Sequence, residues 1–359
     1  MHNIANEKLK KKIKNIIVNQ GPMDLSRFMA ICLHDKDFGY YSHNNQVIGG
    51  KGDFITSPEI SQVFGELIAL NFFENFINSK INKINLVELG PGKGTLMNDI
   101  LSTFDNFKDH NIFINPLLFE KSNHLKTFQE KILLNHKCMW IKNFNDIPNL
   151  PTYFIANEFF DALPINQIIS KNGSWHERKI NIKDDNLVFS SGNKLLNQPN
   201  EDPYPDGKIL EESPETKIII KFVIDIILKN GGSLIIIDYG QTNEKIVNSN
   251  SIQGIKNHSV SSIFENLGTT DISSWVNFSD IINSLPKDIN IQGPITQREY
   301  LINLGIKERF ENLGKNKSSL IRRTLFADFE RLVSNSYMGQ AFKVMVLSSN
   351  TLSKFSGFD

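Results

Sequence analysis

The sequence is short of cysteine, of surplus charge and of long apolar runs. Its 359 residues include two cysteines, Cys32 and Cys138, and their wide separation argues against a disulfide scaffold and fits a reducing compartment. Lys plus Arg and Asp plus Glu number 39 each, so the net charge is zero. A protein that grips a nucleic-acid backbone carries a basic surplus, so nucleic acid is not the expected partner. The most apolar late stretch, Ile218 to Leu228, is interrupted by Lys221 and Asp225 and is too short to span a bilayer. The eight histidines form no His-x-x-x-His or Cys/His ligand set, and no catalytic metal is expected. Neither Gly92-Lys93 nor Gly50-Lys51 has the upstream glycine and following hydroxyl residue of a phosphate-binding loop, which removes ATP and GTP hydrolysis.

With 40% hydrophobic residues, the chain can bury the core of an elaborated α/β domain. Leu9, Ile13, Ile16 and Ile17 fall at helical spacing between lysines, and a second amphipathic segment carries Leu25, Phe28, Met29, Cys32 and Leu33 on one face. Ser57 before Pro58 and Glu59 reads as the N-cap of a helix reaching about Phe76. Residues 1–80 are therefore expected to form an N-terminal helical cap. From Ile84, short apolar runs (Asn85 to Leu89, Pro116 to Glu120, Tyr153 to Ala156, Ser233 to Tyr239) alternate with helical stripes, the pattern of a parallel sheet covered by helices. The expected fold is a Rossmann-like α/β core over 81–350. It carries a β-rich insertion at about 165–213, a helical insertion at about 241–335 before the last strand, and a tail at 351–359.

The run Leu86-Val87-Glu88-Leu89-Gly90-Pro91-Gly92-Lys93-Gly94-Thr95 is a buried strand, a glycine turn and a helix start. Such a turn brings backbone N–H groups and a helix N-terminus against a ligand. The spacing is Gly-x-Gly-x-Gly, with Thr95 where a dinucleotide site needs its third glycine, which favours S-adenosylmethionine over NAD. Gly90, Gly92 and Gly94 then let the chain approach a ribose and a methionyl group. Glu88 is the acid that meets the ligand's ammonium, and Glu120, ending the next strand, accepts hydrogen bonds from the ribose diol. Alternatively, the turn is a tight strand-to-helix connection with no ligand.

Several further blocks fall in order along nearly the whole chain: Phe38-Gly39-Tyr40-Tyr41, Gly52-Asp53-Phe54-Ile55-Thr56-Ser57-Pro58-Glu59, Phe64-Gly65-Glu66, Asn157-Glu158-Phe159-Phe160-Asp161-Ala162-Leu163-Pro164, Asp238-Tyr239-Gly240 and Met338-Gly339. In these the sequence resembles the MidA family of class I methyltransferases, whose mitochondrial members are arginine methyltransferases that assist respiratory complex I assembly. The resemblance implies S-adenosylmethionine as donor, Thr56 and Ser57 among the cofactor-binding residues, and a protein substrate, with a respiratory complex subunit as the candidate. Because the family-like region begins so early that a transit peptide has little room, a cytoplasmic protein is expected, or a mitochondrial one if the source is eukaryotic. The chain departs from the family pattern at Trp275 and Asn277, where a histidine and an acid are expected, and at Arg298, where glycine is expected.

An arginine substrate sets the chemistry. Its guanidinium is protonated and delocalised, so carboxylates that hold the fork can leave one nitrogen more nucleophilic. Glu158 is the candidate clamp, Asp161 its support and Asn157 their neighbour at the strand end; the bland alternative is that Asp161 and Asn157 serve the local turn. Asp238 either lines the same edge or bonds the next loop. His258 is a candidate base through the resemblance alone. Phe160 either walls the substrate site or packs the core. An assembly chaperone that binds S-adenosylmethionine with little turnover is the competing reading, and a DNA amino-methyltransferase is disfavoured because Glu158, not proline, follows Asn157.

Overall fold

A computed structural model describes residues 2–43, 55–196, 205–242, 250–256 and 259–358. The central sheet has eight strands, of which the short Val276–Asn277 pairs parallel with the end of Gly232–Gln241 and the other seven form its main path: β1 (Lys83–Leu89), β2 (Phe113–Phe119), β3 (Met139–Ile141), β4 (Thr152–Asn157), β5 (Gly232–Gln241), β6 (Ile289–Thr296) and β7 (Phe342–Ser349). Their spatial order is β6-β7-β5-β4-β1-β2-β3. β1 to β5 run parallel, and β7 lies antiparallel between β5 and β6. The inner strands are continuous apolar runs because helices cover both faces. On one face, Leu86, Tyr153, Ile235 and Val344 pack against the helices Gln62–Asn78 and Thr95–Phe104. On the other, Val87, Phe154, Ile236 and Met345 pack against Pro214–Asn230.

The segment expected as an N-terminal cap divides between two cores. Helices His2–Gln20 and Leu25–His34 bury Leu9, Ile13, Phe28 and Met29 against Ile165, Ile180, Leu187 and Leu267, a third core separate from the sheet. The helix Gln62–Asn78 belongs to the sheet instead. The single helix expected from Ser57 is two. Ser57–Ile60 is capped by Thr56, the chain breaks at extended Ser61, and the Ser61 side chain accepts the Val63 N–H to start the second. Ser57 is thus the first helical residue rather than the cap.

The insertion after Pro164 is an antiparallel sheet of Asn166–Lys171, Ser174–Lys183, Asn186–Lys194 and Ile209–Glu212, joined by Met23–Asp24. Residues 241–335 are not wholly helical. They hold a small sheet of Gln253–Lys256, Ser259–Ser261 and Asp271–Ser273, and then β6 itself. The last residues are docked: Phe355 is buried, and Asn71 and Asn75 donate to the Ser356 and Ser353 carbonyls. Among the described residues no helix is long and apolar enough to cross a membrane.

Candidate active site

A cleft of about 1030 Å3, counting its open mouth, lies over the carboxyl ends of β1, β2 and β4. That edge is where open α/β sheets bind ligands. Its floor is the turn after β1, where Gly90, Gly92 and Gly94 take φ of 63°, 53° and 88°. An L side chain is strained in that region. A Cβ on Gly90 would also fall 2.6 Å from the Phe159 ring, so the position admits glycine alone.

Two carboxylates flank this floor. Glu88 is 3% exposed. Burial pushes its carboxyl up to about 8, the Glu120 and Asp99 carboxylates add to the rise, and a backbone N–H from Met97 opposes it. Its Oε2 is buried with no hydrogen-bond partner, an acceptor that an ammonium would satisfy. Glu120 accepts the Ser122 N–H at 2.6 Å and the Gln129 amide at 3.0 Å, and burial still raises its carboxyl. Gln129, fully buried, also donates to the Gly92 carbonyl at 2.8 Å and accepts the Trp140 indole N–H at 2.8 Å. It therefore ties the glycine turn to the acid of the neighbouring strand. The unpartnered Glu88 oxygen, the glycine floor and the Glu120 carboxylate fit the amino acid and ribose ends of S-adenosylmethionine.

The end of β4 supplies the other wall. Asn157, Glu158, Phe159, Ala162 and Leu163 line the cleft. Glu158 has φ 50°, a left-handed backbone uncommon outside glycine and asparagine, and such strain collects at functional sites. Its Oε1 accepts the Ser57 N–H at 3.2 Å and the Asn157 amide at 3.3 Å. Burial and then the nearby Asp161 carboxylate push its carboxyl up to about 8. The Asn157 Oδ1 is buried without a partner.

Behind Glu158 lies a chain of acids and phenols. Asp161, 7% exposed, is raised to about 6 by burial, against hydrogen bonds from the Tyr239 hydroxyl and backbone N–H groups. The Tyr239 and Ser273 hydroxyls are hydrogen-bonded to each other, and Tyr41 donates to Asp271 at 3.3 Å. The Ser274 N–H donates to the Asp161 carbonyl at 3.0 Å and fastens the small sheet to this turn.

The structure redistributes several expected roles. Asp238 does not line the cleft; it is fully buried, and its Oδ2 accepts the N–H groups of Phe159, Phe160 and Asp161 at 3.2, 2.9 and 3.3 Å. It shapes the turn that carries Glu158. Phe160 is 2% exposed in the core, and Phe159 is the aromatic at the wall. Gly94 caps the Thr95–Phe104 helix and backs onto Leu133 and Gln129, away from the cleft. Thr56 lines the cleft, whereas the Ser57 hydroxyl turns to Gln297 and Met338. His258 lies outside the described residues. Asp271, Tyr239 and Gln129 are the residues that motif reasoning passed over. Tyr239 stands in the Asp238-Tyr239-Gly240 block and Asp271 lies four residues before the departure at Trp275, whereas Gln129 reads as one polar position on a helix.

Both buried acids carry a stability cost with a definite sign. Glu88 and Glu158 sit above the ordinary 4.5, so the folded chain holds their protons more tightly than the unfolded chain does. The stability they confer is complete below about 4.5 and is lost as pH rises through about 8. Differential scanning calorimetry of the ligand-free protein should show Tm falling by on the order of a few degrees across that window. Glu88→Gln with Glu158→Gln should flatten the slope, and an unchanged slope would contradict the placement.

Residues 67–295 match the family model of S-adenosyl-L-methionine-dependent methyltransferases. The chain is 34% identical to the protein arginine methyltransferase NDUFAF7 homolog, mitochondrial, of Caenorhabditis elegans, over 96% of this chain and 87% of that protein. It is 30% identical to the human protein arginine methyltransferase NDUFAF7, mitochondrial, over 92% of this chain and 81% of that one. The fold is shared with a superfamily member from Burkholderia thailandensis crystallised with S-adenosyl-homocysteine, at a TM-score of 0.84 and 20% identity, over 99% of this chain and 95% of that one. The glycine floor, the acids at the ends of β1 and β2 and the match along most of the chain lead to one conclusion: the chain belongs to the MidA family of S-adenosylmethionine-dependent methyltransferases.

Proposed function

We propose that the protein methylates arginine side chains of a partner protein during assembly of a larger complex, with Glu158 holding the guanidinium, Asn157 accepting a second N–H and Asp161 supporting Glu158. The observation that carries this reading is the gathering of Glu158, Asp161, Asp238 and Asp271 behind one wall of the donor cleft. Four acids concentrated in a buried place call for a cation, and a guanidinium offers five N–H donors that stay charged at any working pH. The donor supplies an electrophilic methyl group on a sulfonium. Glu158 draws positive charge toward the nitrogens it binds, leaving the free one more nucleophilic. The Asn157 Oδ1, which has no partner, fixes the plane of the fork. Asp238 holds the backbone of the turn so that Glu158 keeps its strained conformation.

The names of the relatives support arginine as the acceptor and, for a eukaryotic source, mitochondria as the place; a respiratory complex subunit as the partner, and the cytoplasm for any other source, rest on the family resemblance alone. Incubation with radiolabelled S-adenosylmethionine and an extract of cells lacking the protein, followed by acid hydrolysis, tests the acceptor. Labelled methylarginine is expected; label in methyllysine or in nucleic acid would overturn the reading.

A further inference from the structure

We infer that Glu59 is a positioning residue that latches the donor-binding turn to the segment orienting Glu158. No role is assigned to it by the family's match or by the reading above. The short helix Ser57–Ile60 sits between three parts of the molecule. Its Ser57 hydroxyl is anchored on Gln297 and Met338, and its Ser57 N–H points at Glu158 Oε1. Two residues later, Glu59 spreads its carboxylate across the residues flanking Gly94: Oε1 accepts the Thr95 hydroxyl, and Oε2 takes the Lys93 ammonium at 3.1 Å.

The Glu59 side chain is 17% exposed and that of Lys93 30% exposed, so water competes only partly with this ion pair. Glu59, Lys93 and Thr95 all line the cleft. Lys93 and Thr95 flank Gly94, the last of the three left-handed glycines, which have no side chains to hold themselves in place. On one side the turn is held by Gln129 through the Gly92 carbonyl, and on the other by Glu59. Releasing the Glu59 side would free the turn that receives the donor. It would also loosen the helix whose first N–H favours the charged form of Glu158. Donor binding and the state of that carboxylate are therefore coupled through four residues.

Calorimetric titration of the full-length protein with S-adenosylmethionine, which requires no acceptor, tests the latch independently of arginine specificity. Glu59→Gln and Thr95→Val should each weaken donor binding about tenfold. The double variant should be little worse than either single one, because both cut the same tie. Thr95→Ser, which keeps the hydroxyl, should bind as the wild type does, a rescue that a merely structural role for the position would not require. In methyl-transfer assays Glu59→Gln should raise the donor KM more than it lowers kcat.

The link to Glu158 rests on the function proposed above. It appears as an upward shift of the pH midpoint of kcat/KM for the acceptor in Glu59→Gln, since a lost N–H leaves the ionised carboxylate less favoured. Donor affinity within twofold of wild type in Glu59→Gln, or additive losses in the double variant, would overturn the latch. A shifted donor affinity with an unmoved pH midpoint would overturn the coupling.

Discussion

Replacing Glu158 by glutamine should lower kcat for methyl transfer by about 10²- to 10³-fold while donor affinity stays within about threefold, since the lost interaction acts on charge at the acceptor. Glutamine keeps the shape and the ability to accept from Ser57 N–H, so the turn survives; only the negative charge goes. In the wild-type enzyme that charge is absent at low pH. Burial and Asp161 hold the Glu158 carboxyl near 8 and burial holds Asp161 near 6, whereas the substrate guanidinium never loses its proton. The free enzyme must ionise before it can clamp a cation, so kcat/KM should climb from pH 6 to about 8 and level off. Glu158→Gln should lose the upper part of that climb. Initial rates at saturating donor across the pH range decide the matter. A variant with wild-type kcat, or one that loses donor binding in step with kcat, would remove Glu158 from the acceptor site.

Donor binding at neutral pH should release a proton, and Glu88→Gln should abolish the release together with about 10- to 100-fold of affinity. The unpartnered Glu88 oxygen has no cation beside it until the ligand's ammonium arrives. With its carboxyl near 8, the acid is mostly protonated at pH 7 and must ionise to pair. A charge-assisted hydrogen bond of this kind contributes about 1.5–3 kcal/mol. Affinity should accordingly strengthen as pH rises toward 8 and then flatten. Titration at pH 7 in two buffers of different ionisation enthalpy reads the proton directly. Identical heats in both buffers would mean that Glu88 is not the ammonium's partner.

Where the molecule was legible in its sequence, the signal was local. Lys83 to Phe104 is a run of alternating packing faces, a glycine turn and a helical stripe, and each part is specified by neighbours a few residues away. The break at Ser61 was not legible, because Ser57-Pro58-Glu59 and Ser61 both carry helix-start chemistry four residues apart, and only packing decides that both are used. Strand β6 and the small sheet around Asp271 have short, interrupted apolar patterns. They exist because β7 and the turn at Asp161 offer backbone partners from distant parts of the chain. The site divides in the same way. That Glu88, Glu120 and Glu158 come together at one cleft was readable because strand ends are readable. Gln129 was passed over and Asp238 stood between two readings because their importance lies in which backbone groups they face.

The core shared by the first two helices and the β-rich insertion has a consequence for how the chain is made. Leu9, Ile13 and Ile17 find their apolar partners at Ile165, Ile180 and Leu187, which a ribosome delivers some 150 residues later. At about 5–20 residues per second, the nascent amphipathic helix waits on the order of ten seconds or longer with its greasy stripe uncovered. An uncovered apolar stripe of that kind is the surface chaperones bind, and the exposed lysines Lys8, Lys11 and Lys12 put charge on the opposite face of the same helix.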